Sequence, residues 1–499
     1  MSETVTHARR LMLGEPLPLR IGYTGPRSRE FLDGAVTAIA ADPGAVEALD
    51  ALVLEPDAPG LDSVADAARA AGIPVVALGA ESWAPPLDPS SFNPTGFRDA
   101  GVAGLAAVIT RTGGGFEPGF ELIATAARGE PVTVLAPEGA ELPPLPAGAR
   151  RAGLGPRIDA GHVVRRAQEH LGVLDHPAFH ASEFERAGWI AKLCAAGVPV
   201  CAEEISESLA ELLGEELTAL LRPLRARDLA DLDLRERASV ALRRAALREH
   251  SAVARWRQIA AALGIEVPGR PMVSVILSTR RESWLEHGIA QVARQNYEPR
   301  ELVVCLHGDD FGPGTSERVR SLYPGECQVI RVDGELTLGD ALNAGVETAN
   351  GELVTKMDDD DYYSTEHLWD LVLALEYSGA DLVGKGAEFV YLQWIDLTMR
   401  RFMGDSESDH PRLAGGAMMA RKAPLQEIGG WPSRSRGEDT WIVRNFKKAG
   451  RGTYRTHGFG YILNRHGQGH TWNTYVDYFL IQSQREWRGL RFDETAIEP

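Results

Sequence analysis

Four consecutive aspartates, Asp358 to Asp361, form the most concentrated group of reactive side chains in the sequence, within the segment MDDDDYY. The preceding residues, GELVTKM, are typical of a β-strand, so the aspartates are predicted where a strand ends and a loop begins. Neighbouring carboxylates repel one another, and a cation removes that repulsion. Mg²⁺ and Mn²⁺ bind oxygen ligands, commonly one or two carboxylates together with substrate phosphates. The run therefore predicts a site for Mn²⁺ or Mg²⁺.

Two alternative interpretations of this acidic run differ in the residues that they require at nearby positions. A calcium loop of the EF-hand type starting at Asp358 would need Gly at its sixth position and Glu at its twelfth, where the chain has Tyr363 and Trp369. A solvated surface loop would make no such demand. The strand that leads into the run favours a binding site, because ligands bind outside the carboxyl ends of strands in open α/β sheets.

A strand, a polar turn and a helix are predicted in the segment VSVILSTRRESWLEHGIAQVARQNY, residues 273–297. This order is typical of the first βα unit of a nucleotide-binding sheet. Thr279, Arg280 and Arg281 fall at the carboxyl end of the strand, where we expect them to contact a base, ribose or phosphate. The alternative is a surface turn that only caps the helix.

The elements that must position these residues divide the chain into three regions. Residues 1–215 alternate short apolar runs, such as PVTVLAP, with helical stretches, which predicts a Rossmann-like α/β domain with parallel strands. Residues 216–270 are rich in Leu, Ala, Arg and Glu at helical spacing, which predicts a helical connector that is bent near Pro223. Residues 271–499 begin after a Gly/Pro cluster and are predicted to form a second α/β domain.

The composition favours a soluble protein that does not bind nucleic acid. The formal net charge is −18 and the pI is about 5.3, so phosphate backbones would be repelled. We find no secretory signal and no long apolar run, and we therefore expect no membrane-spanning segment. The four cysteines form no CxxC pair, which is typical of a reducing compartment and predicts a cytoplasmic location.

Three segments within residues 271–480 carry a resemblance to one enzyme family. They are VSVILSTRRESWLEHGIAQVARQNYEPRELVV, LGDALNAGVETANGELVTKMDDDD and GEDTWIVRNFKKAG. In this order they resemble the family 2 glycosyltransferases of the GT-A fold. There the first segment is the opening strand, helix and second strand, and the second is an Asn-x-Gly helix followed by the strand with the Asp-x-Asp motif. The third resembles the Glu-Asp catalytic segment at a helix start.

The resemblance implies an inverting, divalent-metal-dependent transfer of a sugar from a nucleotide-diphosphate sugar to a hydroxyl acceptor. Asp358 and Asp360 would be the Asp-x-Asp carboxylates that hold Mn²⁺ or Mg²⁺, and Asp358 and Asp359 would contact the nucleotide sugar. Asp439 would be the general base, with Glu438 as a neighbouring carboxylate that can exchange roles with it. Helix N-capping is the alternative role for Asp439. The acceptor remains open among a glycan, a lipid-linked intermediate, a peptide and a small molecule.

The strand LVVCLHGDD departs from the family pattern at the position that usually reads the base, often uracil. That position falls near Leu306 and His307. Asp309 and Asp310 follow slightly later and would substitute for it through a shifted loop. UDP is therefore the first choice of nucleotide, with dTDP and GDP as alternatives.

The segment LAGGAMMARKAPLQEIGGW, residues 413–431, resembles the small-residue strand that precedes the catalytic acid in the family. Gly415 and Gly416 would let the nucleotide sugar approach the backbone closely. Trp431 would either stack on a sugar face or pack in the core.

The segment NRHGQGHTWN, residues 464–473, has two histidines, His466 and His470, at a spacing of four. The glycines between them and the lack of a Glu after the first exclude a zinc-protease helix. Because many GT-A enzymes close a C-terminal segment over the donor, we expect both histidines near the metal or the diphosphate. Arg465 would pair with phosphate oxygens.

The N-terminal region carries a fainter resemblance. HASEFERAGWIAKLCAAGVPVCAEE, residues 180–204, resembles the helix–strand element of GT-B glycosyltransferases, as in spore-maturation-type proteins. No Walker A pattern, complete GxGxxG motif or basic phosphate-binding pair accompanies it. We therefore expect a catalytically silent domain that serves acceptor recognition or homo-oligomerisation, with a second active transferase as the alternative.

Two other functions compete with an active transferase. A nucleotide- or carbohydrate-binding module that has lost catalysis would have no need for both the acidic run and Asp439. A sugar nucleotidyltransferase usually needs a Gly-rich, basic loop after the first strand, and STRRESW has no glycine.

Overall fold

The computed structural model divides the protein into two compact units, Met1–Pro268 and Gly269–Pro499. It describes residues 20–23, 37–40, 49, 51–54, 61–71, 73, 75–77, 104–112, 115–154, 160–435, 437–466 and 476–492. Both units are α/β and contain sheets with parallel strands, which confirms the predicted fold class. Of the helices in these ranges, none combines the length and apolar character that crossing a bilayer requires.

The first unit contains two parallel sheets. The strands of one are β1 (Arg20–Tyr23), β2 (Thr37–Ala40), β3 (Ala51–Leu54) and β4 (Val75–Ala77), in the order β2-β1-β3-β4, with α1 (Leu61–Ala70) before β4. The strands of the other are β5 (Leu105–Val108), β6 (Val132–Ala136), β7 (Ala149–Gly153), β8 (Val173–Asp175) and β9 (Val200–Ala202), in the order β7-β6-β5-β8-β9. Its connecting helices are α2 (Glu117–Ala126), α3 (Ala160–Ala167) and α4 (Glu183–Ala195). Every residue of β5 and β6 is buried, as expected for parallel strands covered on both faces.

Four helices end the first unit: α5 (Glu207–Leu213), α6 (Glu215–Leu221), α7 (Leu232–His250) and α8 (Ala252–Ala262). The chain leaves α6 just before Pro223, where the bend was predicted, and a 3₁₀ turn, Ala226–Ala230, leads into α7. Asp231 begins α7 by accepting hydrogen bonds from two backbone N–H groups, and Ser251 begins α8 by accepting one, from Ala254. α7 packs against α4 and α6, so the helices predicted as a connector belong to the first unit.

His250, the last residue of α7, is buried in its neutral form. Its Nε2 lies 2.9 Å from the carbonyl oxygen of Leu213, and its Nδ1 faces the guanidinium of Arg255. Because a guanidinium only donates, Nδ1 must accept, and the proton sits on Nε2. Burial, followed by the charge of Arg255, lowers the pKa of His250 from 6.5 to about 3.

This buried histidine predicts an acid sensitivity of the first unit. The unfolded chain takes up the proton near pH 6.5 and the folded chain only near pH 3, so stability falls as the pH drops through that interval. His250→Gln keeps a donor and an acceptor but does not titrate. We expect the melting temperature of the wild type to fall more steeply between these pH values than that of the variant. Parallel decline of the two proteins would contradict the prediction.

The second unit contains two sheets. Its strands are β10 (Val273–Thr279), β11 (Arg300–His307), β12 (Glu326–Val332), β13 (Leu353–Lys356), β14 (Tyr362–Tyr363), β15 (Leu382–Gly384), β16 (Phe389–Leu392), β17 (Leu397–Arg401), β18 (Met418–Arg421), β19 (Thr453–Arg455), β20 (Tyr461–Arg465) and β21 (Ser483–Arg488). The larger sheet has the order β12-β11-β10-β13-β18-β15-β19, and the smaller one β14-β20-β16-β17-β21. β10 to β13 run parallel, whereas β18 is antiparallel to both β13 and β15.

Seven helices accompany these strands in the described part of the second unit: α9 (Leu285–Ala293), α10 (Thr315–Leu322), α11 (Leu338–Thr348), α12 (His367–Ser378), α13 (Lys422–Glu427), α14 (Glu438–Lys448) and α15 (Val476–Leu480). Residues of α11 and α14 pack with β10 and β11 in one apolar core, which includes Ile276, Leu342 and Phe446. Trp431 lies in the same core, where its backbone N–H and carbonyl each make a 2.8 Å hydrogen bond to the Asn343 amide. Of the two roles considered for Trp431, the structure therefore shows core packing.

Candidate active site

A cavity of about 670 Å³ opens at the carboxyl ends of β10, β11 and β13. The residues that follow these strands line one part of it, and the start of α14 and the connection from β17 to β18 line further parts. Among its lining residues are Thr279, Arg280, Arg281, His307, Asp358, Asp359, Asp360, Asp361, Gly415, Gly416, Glu438, Asp439 and Arg465. The fold thus brings predicted residues from distant segments into one cavity, because parallel strands end at a common edge.

Asp359 and Asp360 are bound by cationic and hydroxyl groups from the turn after β10. Asp359 is buried and accepts hydrogen bonds from Thr279 Oγ1 and from the guanidinium of Arg281. The same guanidinium lies 2.9 Å from Asp360 Oδ2, and His466 Nε2 lies 3.0 Å from that oxygen. Burial raises the pKa of Asp359, although Arg281 opposes this effect. The predicted nucleotide residues and the acidic run therefore form one connected polar cluster.

Asp358 pairs with Lys356 rather than with the turn after β10. Its Oδ1 lies 3.0 Å from Lys356 Nζ, which is also 3.5 Å from Glu438 Oε1. Burial alone would lower the pKa of Lys356, but the carboxylates of Asp358 and Glu438 outweigh it, and the pKa is raised. Lys356 therefore stays charged and links the acidic run to the start of α14.

Asp361, the last residue of the acidic run, is held by hydrogen bonds from β20. It is fully buried, and it accepts hydrogen bonds from Tyr461 Oη at 2.8 Å and from the backbone N–H of Asn464 at 2.9 Å. Burial, together with the charges of Asp360 and Asp358, raises its pKa well above the ordinary value. The acidic cluster carries an excess of negative charge that suits a divalent cation.

Gly415 and Gly416 form a floor against this cluster. A Cβ on Gly416 would lie 2.7 Å from Asp358 Oδ2 and 3.0 Å from Asp361 Oδ2. A Cβ on Gly415 would lie 3.4 Å from both Asp439 Cβ and Lys356 Nζ. A side chain at Gly416 would therefore clash with the acidic run, whereas a methyl group at Gly415 would make close to ordinary van der Waals contacts.

Asp439 lies at the first turn of α14 and lines the same cavity as the acidic run. Gly437, with φ +70°, occupies the N-cap position, so Asp439 does not cap the helix. Its Oδ1 accepts a 2.6 Å hydrogen bond from the backbone N–H of Thr440, which fixes the carboxylate toward the helix N-terminus. The carboxylate is half-buried and can reach a group bound in the cavity.

His307 occupies the end of β11, where the family usually reads the base. Its Nε2 lies 2.7 Å from Arg280 Nη2, and burial, followed by the charge of Arg280, lowers its pKa. Asp309 and Asp310 are both exposed, and neither is among the residues that line the cavity. The structure thus brings His307 and Arg280, rather than Asp309, to the site.

The C-terminal histidine segment is described in part. His466 lies between Arg281 Nη1, at 3.0 Å, and Asp360, and its ring centroid is 4.9 Å from that of Trp284. Arg465 is buried and lines the cavity. His470 lies outside the described residues. Within the ranges that are described, no three Asp, Glu, His or Cys side chains are grouped to hold a metal ion.

Sequence reasoning missed the side chains that hold the acidic run in place. Lys356, Tyr461 and Asn464 contact it, yet each belongs to a strand whose pattern predicts burial only. The sequence pattern gives Tyr363 no role beyond excluding a calcium loop. In the structure its Oη accepts a hydrogen bond from the backbone N–H of Asp358 and donates one to the carbonyl of Gly416, both at 2.8 Å. The one available signal was a lysine at the end of an apolar strand directly before an acidic run.

The sheet and its site define the second unit as an α/β domain with carboxylates at the ends of parallel strands. Residues 274–425 match the sequence profile of the family described as Glycosyl transferase family 2. This match confirms the resemblance of the second unit's sequence to the family 2 glycosyltransferases.

Individual relatives cover parts of the chain. The protein named Uncharacterized glycosyltransferase YwdF from Bacillus subtilis (strain 168) is 31% identical over 118 residues, which are 23% of this chain and 41% of that protein. This chain thus spans less than half of that relative's length. The mannosyltransferase PcManGT from Pyrobaculum calidifontis, in complex with GDP-Man and Mn²⁺, is 18% identical with a TM-score of 0.33, over 40% of this chain and 59% of its own. S. aureus TarS 1-349, in complex with UDP-GlcNAc, is 18% identical with a TM-score of 0.32, over 41% of this chain and 62% of its own.

Proposed function

We propose that the second unit is an inverting, divalent-metal-dependent glycosyltransferase that moves a sugar from a nucleotide-diphosphate sugar to a hydroxyl acceptor. The observation that carries this proposal is the common cavity of the acidic run, the Thr279–Arg281 turn and Asp439. The match of residues 274–425 to the glycosyltransferase family supports it independently.

The reaction needs a base, a positioned donor and compensation of charge on the leaving group. The acceptor oxygen attacks the anomeric carbon and passes its proton to Asp439, while the bond from that carbon to the diphosphate oxygen breaks. A single displacement inverts the configuration of the anomeric carbon. Arg281 and Arg465, which both line the cavity, would pair with oxygens of the departing nucleoside diphosphate.

The acidic run has the chemistry to hold Mn²⁺ or Mg²⁺ through Asp358 and Asp360, with diphosphate oxygens as further ligands. His466, at 3.0 Å from Asp360, orients that carboxylate or joins it as a ligand. When bound, the cation supplies charge stabilisation to the leaving diphosphate. Asp358 and Asp360 line the same cavity as the Thr279–Arg281 turn, which supports this assignment.

The proposal also covers the nucleotide of the donor and the role of the first unit. UDP is the first choice of nucleotide. Because His307 lies where the family usually has an acidic residue that reads the base, dTDP and GDP are alternatives. For the first unit we propose acceptor recognition or homo-oligomerisation without catalysis. The whole chain would then be a cytoplasmic enzyme with no nucleic-acid partner.

A thermal-shift panel tests the proposal directly. The full chain is melted with UDP, GDP, dTDP and their common sugar conjugates, each with and without Mn²⁺. Ligand at about 100 times its Kd stabilises the native state by about 2.7 kcal/mol, which raises the melting temperature measurably. We expect one nucleotide to act, and only with metal. Folded protein that responds to no nucleotide would overturn the proposal in favour of a degenerate binding module.

A further inference from the structure

The cavity extends beyond the residues assigned to the donor and the metal. The Thr279–Arg281 turn and the acidic run follow β10 and β13, whereas Arg455 ends β19, at the far edge of the same sheet. Five strand spacings separate β11 from β19 in this sheet, a distance of about 24 Å at about 4.8 Å per strand. We call the part of the cavity beside β15 and β19 the acceptor side.

Three arginines line this acceptor side: Arg401 at the end of β17, Arg412 in the following connection and Arg455. Within the described residues, none of the three forms an ion pair with a carboxylate. One acidic residue, Asp405, also lines this region. Three guanidinium groups against one carboxylate leave this end of the cavity positively charged.

Arg455 is the central member of the group. It is only 4% exposed, and its Nε has no hydrogen-bond partner among the described residues. Its Nη1 lies 3.5 Å from His410 Nδ1. A Cβ on Gly386 would lie 1.9 Å from Arg455 Nη2, so the guanidinium fills the space that this glycine leaves.

Arg401 and Arg412 flank that central group in different ways. Arg401 is buried, with its guanidinium carbon 4.8 Å from the ring centroid of Phe402 and 5.3 Å from that of Tyr478, and its Nε donates to the carbonyl of Ala387 at 3.0 Å. Aromatic rings therefore hold this cation in a fixed orientation. Arg412 is exposed and supplies charge where the cavity meets solvent.

We propose that Arg401, Arg412 and Arg455 form a cationic subsite for an oxyanion, a phosphate or a carboxylate, carried by the acceptor. A buried guanidinium that touches no carboxylate is incompletely satisfied, and an oxyanion with two hydrogen-bonding oxygens satisfies it. This inference rests on the proposed transferase function and narrows its open acceptor to an anionic class. Burial lowers the pKa of Arg455, with only partial compensation from Glu388 and Asp405, which agrees with an unsatisfied charge.

Binding of simple oxyanions tests the subsite. The full chain is saturated with Mg²⁺ and the nucleotide identified by the melting panel, and the Kd values of inorganic phosphate, glucose 6-phosphate, glucuronate and glucose are measured by calorimetry. We expect at least one anionic probe to bind about 10- to 100-fold more tightly than glucose, as charged hydrogen bonds allow. Phosphate and carboxylate probes compared with each other identify the preferred anion.

Variants separate this subsite from the donor site. Arg455→Met and Arg412→Met should each abolish most of the preference for the anionic probe, while Arg455→Lys retains part of it. Arg320→Met removes an exposed arginine of α10 that does not line the cavity, and should leave the preference unchanged. Nucleotide affinity should stay the same in all four proteins.

Two outcomes would overturn the subsite. One is equal binding of glucose and every anionic probe by the wild type, and the other is a preference for the anionic probe that survives both Arg455→Met and Arg412→Met. Arg412→Met decides the matter if Arg455→Met does not fold, because Arg412 is exposed. Loss of nucleotide binding in the wild type would instead count against the proposed function itself.

Discussion

Replacing Asp439 with Asn will slow sugar transfer by about 100- to 10,000-fold, the usual contribution of a general base, and will leave nucleotide binding nearly unchanged. Asn keeps the shape of Asp and can still accept the 2.6 Å hydrogen bond from the N–H of Thr440, so the start of α14 is preserved. It cannot take a proton from the acceptor hydroxyl. The measurement is the rate of nucleoside diphosphate release from the donor, with water as the acceptor where no better one is known.

The neighbouring carboxylate provides the matched control. Glu438→Gln removes a charge that lies 3.5 Å from Lys356, and we expect a smaller loss of rate because Lys356 keeps its contact with Asp358. If the Glu438 variant lost far more activity than Asp439→Asn, the two residues would have exchanged the roles assigned here. A catalytically silent binding module would show no rate difference between either variant and the wild type.

Gly416→Ala is expected to damage metal and donor binding as strongly as the loss of a carboxylate. The new methyl group would lie 2.7 Å from Asp358 Oδ2, 3.0 Å from Asp361 Oδ2 and 3.0 Å from Tyr363 Oη. Asp361 and Tyr363 are fully buried and cannot move aside, so the strain falls on Asp358. Overpacking of this kind costs about 1–3 kcal/mol, and we expect the Kd for the metal–nucleotide complex to rise about 10- to 100-fold.

Gly415→Ala is the comparison that makes this prediction specific. Its Cβ would meet Asp439 Cβ and Lys356 Nζ at 3.4 Å, which is close to ordinary contact. We therefore expect a clearly smaller change in the Kd for the metal–nucleotide complex, measured by calorimetry on both variants. Equal effects of the two substitutions would show that the acidic run adjusts to the added methyl group.

The sequence was sufficient to predict the parts of the site that follow single strands. The acidic run after β13 and the turn after β10 were identified because an apolar strand ends immediately before each of them. Their convergence also followed from the sequence, since parallel strands share an edge. Asp439 required the family resemblance, because an aspartate at a helix start is by itself typical of capping.

Residues that act through tertiary pairing were not predictable in this way. Tyr461 and Asn464 reach Asp361 only because β20 pairs with β14, and nothing local in either strand indicates that pairing. Asp309 illustrates the reverse case: it is acidic and close in sequence to the base-reading position, yet the loop after β11 leaves it exposed. Spacing along the chain predicts a strand end well, but it does not predict the direction in which the following loop turns.

The strand order of the larger sheet has a consequence for how this protein can diversify. The acidic run and the Thr279–Arg281 turn of the donor side lie within residues 279–361, whereas the three arginines of the acceptor side all follow β16 in the chain. The connection between β17 and β18 supplies much of that acceptor side in one continuous stretch. Acceptor preference can therefore drift through substitutions within residues 402–413, while Gly416 at the end of the same stretch keeps the acidic run intact.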